Sequence, residues 1–424
     1  MRIRQRIQLA AGKAYVHGRS AIEGLQHGVA FNPYSRNVTS NPYPVHNKMR
    51  ELRPFHYSPT WQAYWVSRFD WVQEILRDKR FGADVRQHPK RYERVTRYMT
   101  LRRRELFDNP SMLDLDPPNH SRVRKLTQQG FVHKFIQSLE PRIREIVHEC
   151  LDASGNEKVI DFVDSLAKPL PAVVIAEMLG LPKEDHDQFA YWSEELMLGT
   201  GTADADNLDR SLKANYTLID YFSQVAKAKA AKPGEDMISH LISAEEEGDK
   251  LSGNELYNTC VLLLVAGHET TTRLIGNGLF LLMQHPEQLE QLRNNPGMIP
   301  QAIEEMLRFE PPVQATRRFV LEDMDFHGTA LKKGQLVFVS IPGANRDPRI
   351  NESPEEFHID RENPKQVSFG YGIHLCIGAS LARMEARIAF EEILARYDHL
   401  ELAETPVWGN NPFFRGVDAL KLRT

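Results

Sequence analysis

The most apolar stretch of the sequence, Thr259–Met283, is long enough to cross a bilayer as a helix. His268, Glu269 and Arg273 interrupt it, and such side chains are costly where a helix faces lipid. The segment Ser252–Glu255 precedes it with the spacing of a capping box, which favours the start of a helix. The stretch therefore predicts a long helix buried in a protein core, and no transmembrane segment.

The composition is that of an ordinary folded protein. Hydrophobic residues make up 41% and charged residues 26% of the 424 residues, which excludes disordered and collagen-like chains. The 53 Lys and Arg residues nearly balance the 57 Asp and Glu residues, and the net charge of −4 argues against a dedicated nucleic-acid-binding protein. Length alone suggests about three domains, and it allows a large core around an enclosed site.

The cysteines and the N-terminus favour a cytoplasmic protein. Cys150, Cys260 and Cys376 lie far apart, so the sequence shows neither zinc-finger spacing nor a disulfide framework. Residues 1–30 carry five Lys or Arg residues against one Glu, and they lack the continuous apolar segment of a signal peptide. We interpret residues 1–30 as a basic N-terminal extension.

Hydrophobic periodicity predicts a mainly helical protein with small sheets. Alternation over 61–68 indicates a strand, and Asp70 can cap a helix that follows it. Short strands are also expected between 316 and 341 and near the C-terminus. Helices are expected over 117–156, 161–179, 184–198 and 205–230, from Pro300 to before Pro311, and after Cys376.

The segment Phe369–Gly378, the cysteine loop, carries the strongest chemical signal. Its two glycines permit a tight turn that delivers Cys376 to the start of a predicted helix, where free N–H groups and the helix dipole stabilise a thiolate. Gly378 would let a flat, bulky group lie against the first turn. From these residues alone, Cys376 is either a buried structural cysteine or a catalytic nucleophile with His374 as its base.

A second polar site, Ala266–Thr271, interrupts the long apolar helix. Glu269 and Thr270 could form a structural network there, with the threonine hydroxyl bonded to the preceding turn. However, the eight residues from Cys260 to Gly267 leave no face for solvent, so a carboxylate is costly unless it has a task. The residues leave a structural and a catalytic interpretation open.

The pattern Phe-Gly-x-Gly-x-His-x-Cys-x-Gly of the cysteine loop resembles the haem-binding loop of the cytochrome P450 family. The resemblance implies that the Cys376 thiolate is the axial ligand of the iron of haem b, with Phe369, Gly370 and Gly378 around the cofactor. In this family the thiolate pushes electron density toward bound oxygen. The similarity extends in unbroken order over residues 60–424.

The polar site of the long helix is similar to the distal helix of the same family, in which an acid and an alcohol relay protons to oxygen. By this resemblance Glu269 and Thr270 take the catalytic roles. Ala266 and Gly267 are implied to leave room for oxygen and substrate over the haem.

Two further patterns match the family. Haem propionates need cations in a partly buried place, and the resemblance assigns them to His120, Arg124, Arg318 and His374, with Arg317 as a neighbour in register. Glu305, Arg308 and Arg361 are implied to form a structural trio that holds the cysteine loop. The same Glu-x-x-Arg spacing at 74–77 and 290–293 predicts only solvated pairs, worth about 0.2–0.5 kcal/mol each.

The resemblance implies a single-domain cytochrome P450 fold over residues 31–424, mainly α with small β-sheets, with haem between the distal helix and the helix after Cys376. The implied activity is a monooxygenase that inserts one oxygen atom from O₂ into a small, largely hydrophobic substrate. A peroxide-driven peroxygenase and a non-catalytic haem- or ligand-binding protein are alternatives. A cysteine hydrolase built on Cys376 would be colourless.

Electrons are expected from a separate ferredoxin or flavodoxin with its reductase, because the sequence shows no dinucleotide-binding fingerprint. We expect this partner to dock on the cysteine side through basic residues such as Arg122 and Lys125. Residues 86–105 hold eight Lys or Arg residues against two Glu. This segment either attracts an acidic or carrier-bound acyl substrate or, as we favour, forms a solvated charged face.

Overall fold

The computed structural model describes residues 18–32, 34–97, 104–105, 108–155, 157–202, 204–245 and 248–424. Residues 1–17 of the predicted N-terminal extension thus lie outside the described residues, and residues 18–27 are helical. The helices that follow are α1 (Arg36–Ser40), α2 (Tyr43–Leu52), α3 (Phe69–Arg77), α4 (Pro89–Thr96), α5 (Asn119–Gln128), α6 (His133–Ser138), α7 (Glu140–Ala153), α8 (Pro169–Leu179), α9 (His186–Met197), α10 (Ala205–Ala231), α11 (Met237–Ser243), α12 (Gly253–Gln284), α13 (Pro286–Asn294), α14 (Ile299–Phe309), α15 (Ile341–Asn345) and α16 (Ala379–Arg396).

The strands are short and form four small sheets. They are β1 (Phe55–Ser58), β2 (Ala63–Val66), β3 (Phe81–Gly82), β4 (Val159–Asp161), β5 (Ala315–Val320), β6 (Met324–Phe326), β7 (Thr329–Leu331), β8 (Leu336–Ser340), β9 (Glu401–Leu402), β10 (Val407–Trp408), β11 (Val417–Ala419) and β12 (Lys421–Arg423). This architecture confirms the predicted mainly helical protein with small sheets.

Helix α12 runs through the core, as the apolar stretch predicts. The side chain of Ser252 accepts the N–H of Glu255 at 3.4 Å, and the Glu255 carboxylate accepts the N–H of Ser252 at 2.8 Å, which completes the predicted capping box. Its buried side chains, among them Leu264, Leu274 and Leu282, pack with α8, α10, α14 and α16 in the largest hydrophobic cluster. Burial of this apolar surface is the main favourable contribution to folding.

The main sheet has five strands in the order β1-β2-β8-β5-β3. Strands β1 and β2 form an antiparallel hairpin, β2 runs parallel to β8, and β5 is antiparallel to both β8 and β3. The smaller sheets are β4-β12-β9, β10-β11 and β6-β7. Through β4, the C-terminal strands are joined to the helical part of the molecule.

The main sheet is buried on both faces. Val337 and Val339 of β8 pack with Val66 and helix α3 on one face, whereas Phe338 stacks on Trp65 on the other, with ring centroids 4.6 Å apart. Since neighbouring residues of a strand point to opposite faces, a strand covered on both sides is apolar throughout. This arrangement explains the unbroken apolar run of β8.

Helix α3 does not begin as predicted. Asp70 lies inside its first turn and is not its cap, because the carboxylate of Asp347 accepts the N–H of Phe69 at 3.0 Å and satisfies the free donor at this helix end. The cap therefore comes from a residue distant in sequence.

Two predicted helices are also interrupted. The segment 117–156 forms α5, α6 and α7, because the chain becomes extended at Val132 and Pro141 lies at the start of α7, where its missing N–H costs nothing. The segment 161–179 begins at the end of strand β4, and a single π-helical turn (Val163–Ala167) precedes α8. Among the described residues, no helix combines the length and the hydropathy that crossing a membrane requires.

Candidate functional site

The backbone of the cysteine loop requires glycine at two positions. Gly370 and Gly372 have φ values of +74° and +69°, in the left-handed region that other residues rarely adopt. A Cβ atom on Gly372 would also overlap the carbonyl oxygen of Leu76 at the end of α3. The N–H of Cys376 donates to the carbonyl oxygen of Phe369 at 2.9 Å and closes the loop. The loop is therefore held against α3.

Cys376 is an exposed residue, although neighbouring protein atoms partly desolvate its thiol. Burial raises the pKa of the Cys376 thiol, although a hydrogen bond from the N–H of Gly378 and the charges of Arg124 and Arg383 oppose this effect. Helix α16 begins only at Ala379, so Cys376 lies before the first turn. The N–H of Gly378 therefore supplies the stabilisation of the thiolate that the sequence predicts at this chain position, while desolvation opposes it.

Four basic side chains converge beside the cysteine loop. The rings of His120 and His374 lie 4.2 Å apart, the Arg124 guanidinium donates to the carbonyl oxygen of Leu375 at 2.6 Å, and Arg318 is 5% exposed. Both ring nitrogens of His120 and Nε2 of His374 are buried without a hydrogen-bond partner among the described residues. Unpaired buried polar atoms are costly, so this corner is suited to a polar ligand group.

The electrostatics of this basic corner favour an anion. Burial, followed by the charge of Arg124, lowers the pKa of His120 to about 4. Burial likewise lowers the pKa of Arg318 to about 10 and depresses the pKa of His374, where the nearby Arg318 adds to the effect. Crowded and poorly solvated positive charge would be stabilised by bound carboxylates.

Arg317 and Arg318 face opposite sides of strand β5. Arg317 is exposed and forms an ion pair with Asp114 at 2.7 Å, whereas Arg318 is buried near His374. The alternation of side chains along a strand makes this separation necessary. Of the two arginines, Arg318 therefore belongs to the basic corner.

Helix α12 has an accessible face at its middle. Ala266 is exposed and Thr270, four residues later, is half-buried, while His268 between them is 2% exposed. The Thr270 hydroxyl donates to the carbonyl oxygen of Ala266 at 2.7 Å. The expectation that residues 260–267 have no exposed face is therefore wrong, because Ala266 is exposed and Leu262 and Val265 line a pocket beside the helix.

Gly267 faces a different way from Ala266. A Cβ atom built on Gly267 would meet the side chain of Ile175 in α8 at 3.6 Å, an ordinary packing distance. The space that the family resemblance assigns to Ala266 and Gly267 stays a prediction, in which Gly267 would contribute only its backbone.

Arg273 holds Glu269, and sequence reasoning did not identify it as functional. Nε and Nη2 of Arg273 lie 2.8 and 2.7 Å from Oε1 of Glu269. Nη1 donates to the carbonyl oxygen of Gly416 at 3.0 Å and to Asp418 at 2.7 Å. A positive charge four residues after an acid on an apolar helix was the available signal.

The structure brings Glu305, Arg308 and Arg361 together. Glu305 and Arg308 are both 0% exposed and lie 2.6 Å apart, and Nε of Arg361 is 3.1 Å from the Glu305 carboxylate. Arg308 also donates to the carbonyl oxygens of Pro354 and Glu356, in the segment that leads to the cysteine loop. The trio joins α14 to that segment.

Of the other two Glu-x-x-Arg copies, Glu290 and Arg293 form the expected ion pair, at 3.8 Å and with Glu290 64% exposed, whereas Glu74 and Arg77 bind other partners. Glu74 binds His327, and the guanidinium of Arg77 lies 4.1 Å from the ring centroid of Tyr371 in the cysteine loop. In the copy on α13, Arg293 donates to the carbonyl oxygens of Leu394 and Tyr397 at the end of α16. The binding partners of these side chains depend on tertiary contacts, which cannot be predicted from the Glu-x-x-Arg spacing.

A pocket of about 280 Å³ lies beside the middle of α12. Leu262 and Val265 form part of its apolar wall, and its rim holds Asn215 and the ion pair of Asp114 with Arg317. The neighbouring basic segment 86–105 is described only in part, since residues 98–103 lie outside the described ranges.

Taken together, the residues present fit a flat, dianionic cofactor held through one sulfur. Cys376 offers the sulfur, the basic corner offers unpaired nitrogens for two carboxylates, and the space around a Cβ atom on Gly378 is open.

Comparisons with known proteins agree with this geometry. The model of the family described as Cytochrome P450 matches residues 75–413. The polyketide biosynthesis cytochrome P450 PksS of Bacillus subtilis (strain 168) is 37% identical over 400 residues, 92% of this chain and 97% of that protein.

Two solved structures show the same fold. P450BioI in complex with an acyl carrier protein ligated to hexadec-9Z-enoic acid has a TM-score of 0.85 at 34% identity, covering 91% of this chain and 98% of that one. CYP109E1 of Bacillus megaterium in complex with testosterone has a TM-score of 0.80 at 35% identity, covering 90% of this chain and 99% of that one. The predicted family and fold class are thereby confirmed. The chain belongs to the cytochrome P450 family, whose members are monooxygenases that bind haem iron through a cysteine thiolate.

Proposed function

We propose that Cys376 is the axial ligand of the haem iron and that His120, Arg124, Arg318 and His374 bind the propionates. The observation that carries this proposal is the set of unpaired, buried ring nitrogens beside an accessible cysteine. Bound haem supplies the activation of dioxygen, with two electrons from outside the chain. The other residues assigned to contact the cofactor are Phe369, Gly370, Gly378, Ala266 and, through its backbone, Gly267.

Adjacent arginines give a matched test of the propionate site. Arg318→Gln removes a buried cation from the basic corner, whereas Arg317→Gln removes an exposed one that pairs with Asp114. We expect haem to transfer faster to excess apomyoglobin from Arg318→Gln than from the wild type, and at the wild-type rate from Arg317→Gln. Equal transfer rates in the two variants would contradict the assignment.

We propose that Glu269 and Thr270 deliver protons on the oxygen side of the site. The Thr270 hydroxyl donates its own proton to Ala266, so its lone pairs are left to accept a hydrogen bond. Glu269 retains 15% side-chain exposure and can therefore exchange protons with solvent. The family resemblance and this geometry together support the pair as the proton-delivering groups.

A control threonine on the same helix sharpens the test of Thr270. Thr272 also bonds the carbonyl oxygen four residues earlier, at His268, but it is 5% exposed. Thr270→Ala should consume reductant while releasing peroxide, and Thr272→Ala should keep the wild-type ratio of product to reductant. Unchanged coupling in Thr270→Ala would refute its role.

We propose that the substrate is a neutral, mainly apolar molecule with a few polar groups. The pocket beside α12 has an apolar wall, and Asp114 already neutralises Arg317 on its rim. The described part of the basic segment offers little free charge at the pocket, because Arg86 is bound to Asp84. Ligands recorded with the similar structures, a steroid and a carrier-bound fatty acyl group, are mainly apolar.

Ligand-induced changes in the haem spin state would test this substrate class. We expect testosterone and the methyl ester of hexadec-9Z-enoic acid to bind, and the free acid to bind no better than its ester. If the free acid binds much more tightly than the ester, a cationic anchor exists and the neutral class is wrong.

Bacterial members of the family take electrons from separate redox partners, typically a ferredoxin. The residue expected to guide this partner, Arg122, is not free: it forms ion pairs with Glu255 and Asp249, which tie α5 to the start of α12. Glu255 belongs to the α12 capping box and Asp249 lies just before it, so both contacts of Arg122 stabilise the start of this helix. Arg122 is therefore a poor docking residue, and docking through Lys125 stays a prediction.

We propose that a ferredoxin or flavodoxin docks on the outer surface of the cysteine loop. Ile373 and Leu375 are 47% and 46% exposed there, and the exposed Arg77 lies against Tyr371 of the same loop. An apolar patch with a basic rim suits a small acidic protein. Arg77→Glu should slow reduction of the haem in stopped-flow measurements at low salt, and an unchanged rate would remove this surface.

A peroxide-driven peroxygenase is the second candidate, and the intact Glu269 and Thr270 pair argues against it. Turnover with hydrogen peroxide, but none with ferredoxin and its reductase, would reverse this order. Binding of haem without turnover by either route would favour a non-catalytic protein.

A further inference from the structure

Arg273 lies between the distal acid and the C-terminal strand β11. The Nε and Nη2 atoms of its guanidinium bind Glu269. The Nη1 atom donates to the carbonyl oxygen of Gly416 and to the carboxylate of Asp418. The side chains of Arg273 and Glu269 are 12% and 15% exposed, whereas that of Asp418 is 49% exposed. The acid on α12 is thus tied through one arginine to a strand that reaches the surface.

Arg273 stays protonated in this position. Burial lowers the pKa of Arg273, but the charges of Glu269 and Asp418 more than offset this effect, so the pKa is raised. A partly buried ion pair that loses one member leaves the other poorly compensated. Arg273 and Glu269 therefore constrain each other.

The ion pair treats the two carboxylate oxygens of Glu269 differently. Both contacts from Arg273 go to Oε1, at 2.8 and 2.7 Å, and within the described residues Oε2 accepts no hydrogen bond. Glu194 of α9 is near enough to repel Glu269 electrostatically, and Lys168 carries the opposite charge close to Glu194. Without Arg273, the carboxylate would be free to turn among these groups.

We propose that Arg273, braced by Asp418, is a positioning residue that fixes Oε1 of Glu269 and leaves Oε2 as the oxygen that carries the proton. Oε2 takes a proton from solvent and gives it to the oxygen side of the site, which restores the carboxylate. This inference rests on the proposed proton-carrying role of Glu269 and names the groups that aim it.

The first test measures the carboxylate directly, without turnover. In the ferric holoenzyme, the infrared difference between the wild type and Glu269→Gln identifies the carboxylate stretch of Glu269. We expect Arg273→Gln to shift this band, Asp418→Asn to shift it less, and Arg273→Lys to keep it near its wild-type position. An unshifted band in Arg273→Gln would overturn the inference.

The second test measures product formed per reductant consumed. A positioned proton donor contributes about 10²–10⁴-fold, and we expect the loss of its positioning in Arg273→Gln to lower this ratio about tenfold, with substrate affinity unchanged. Arg273→Lys should recover most of the ratio, a rescue that a merely structural role would not require. The control Glu401→Gln removes an exposed C-terminal ion pair, with Arg423 at 2.6 Å, and should leave the ratio unchanged.

The outcomes separate this inference from the role on which it rests. If Glu269→Gln lowers the ratio while Arg273→Gln and Asp418→Asn do not, Glu269 carries protons without Arg273 and only the positioning role fails. If Glu269→Gln leaves the ratio unchanged, the proposed role of Glu269 fails, and the inference fails with it.

Discussion

At the scale of single residues, the ion pair of Glu305 and Arg308 shows how this protein keeps charge in its core. Both side chains are 0% exposed, and the remaining donors of Arg308 are bound by backbone carbonyl oxygens of the chain before the cysteine loop. Glu305 also accepts the N–H of His358 at 3.0 Å. Buried charges are tolerated only with such complete pairing.

Glu305→Ala should therefore be strongly destabilising. It leaves Arg308 buried without its carboxylate, a change that costs about 3–5 kcal/mol. Glu290→Ala is the matched control, because Glu290 is 64% exposed and lies 3.8 Å from Arg293; such pairs contribute about 0–1 kcal/mol. Denaturant unfolding of both holoenzyme variants measures the two losses, and equal losses would contradict the account of the trio.

Glu385 in α16 predicts a pH dependence of stability. Burial raises the pKa of Glu385 to about 8 from the ordinary value of 4.5. Between these values the folded protein holds a proton that the unfolded chain releases, so stability falls as pH rises, by up to about 1.4 kcal/mol per pH unit. Above pH 8 this slope ends.

Glu385→Gln removes this titration while keeping the shape of the side chain. We expect the variant to be more stable than the wild type at pH 8 and to differ little from it near pH 4.5. Thermal unfolding of both proteins across this range gives the difference directly, and parallel stability curves would show that Glu385 does not titrate as described.

The sequence could identify a functional residue only where that residue belongs to a local motif. Glu269 lies within a short motif of α12, and sequence alone located it. Its partner network was not predictable, because Arg273 reaches Asp418 across 145 residues of chain. Similarly, strand alternation separated Arg317 from Arg318 only once the faces of β5 were known.

At the scale of elements, the contact between α3 and the cysteine loop positions the site. The loop passes over the carbonyl oxygen of Leu76 at a point where Gly372 leaves room, and Arg77 covers Tyr371 from the same helix end. The position of the cysteine thus depends on α3, whose own start depends on Asp347.

Two glycine variants separate backbone strain from this contact. Gly370→Ala introduces only a left-handed alanine, since its Cβ would meet the carbonyl oxygen of His374 at 3.5 Å. Such strain costs about 1–3 kcal/mol. Gly372→Ala adds an overlap with Leu76, so we expect it to be less stable and to retain less haem than Gly370→Ala. Equal haem content and stability would show that α3 does not support the loop.

The bounds of a helix were predictable from the sequence where capping residues and an apolar run marked them. The apolar run and the capping box located α12, whose start is fixed by Ser252 and Glu255. In contrast, 117–156 was predicted as one helix because three consecutive amphipathic helices share the same period. The breaks between them depend on packing and on Pro141.

At the scale of the whole molecule, small sheets join segments that lie far apart in the sequence. Strand β2 lies beside β8 in parallel, more than 250 residues later in the chain, and β12 pairs with β4. Such strand orders are set by distant segments, so the sequence predicted small sheets but not their topology. The family resemblance, carried by a few motifs, predicted the fold that the local patterns could not.

The absorption spectrum of the reduced protein under carbon monoxide tests the central claim most directly. The wild type should show a strongly red-shifted Soret band, because Cys376 binds the iron as a thiolate, and Cys376→Ser should bind haem without that shift. A red-shifted band that persists in Cys376→Ser, or a wild-type protein that takes up haem without the shift, would contradict the account.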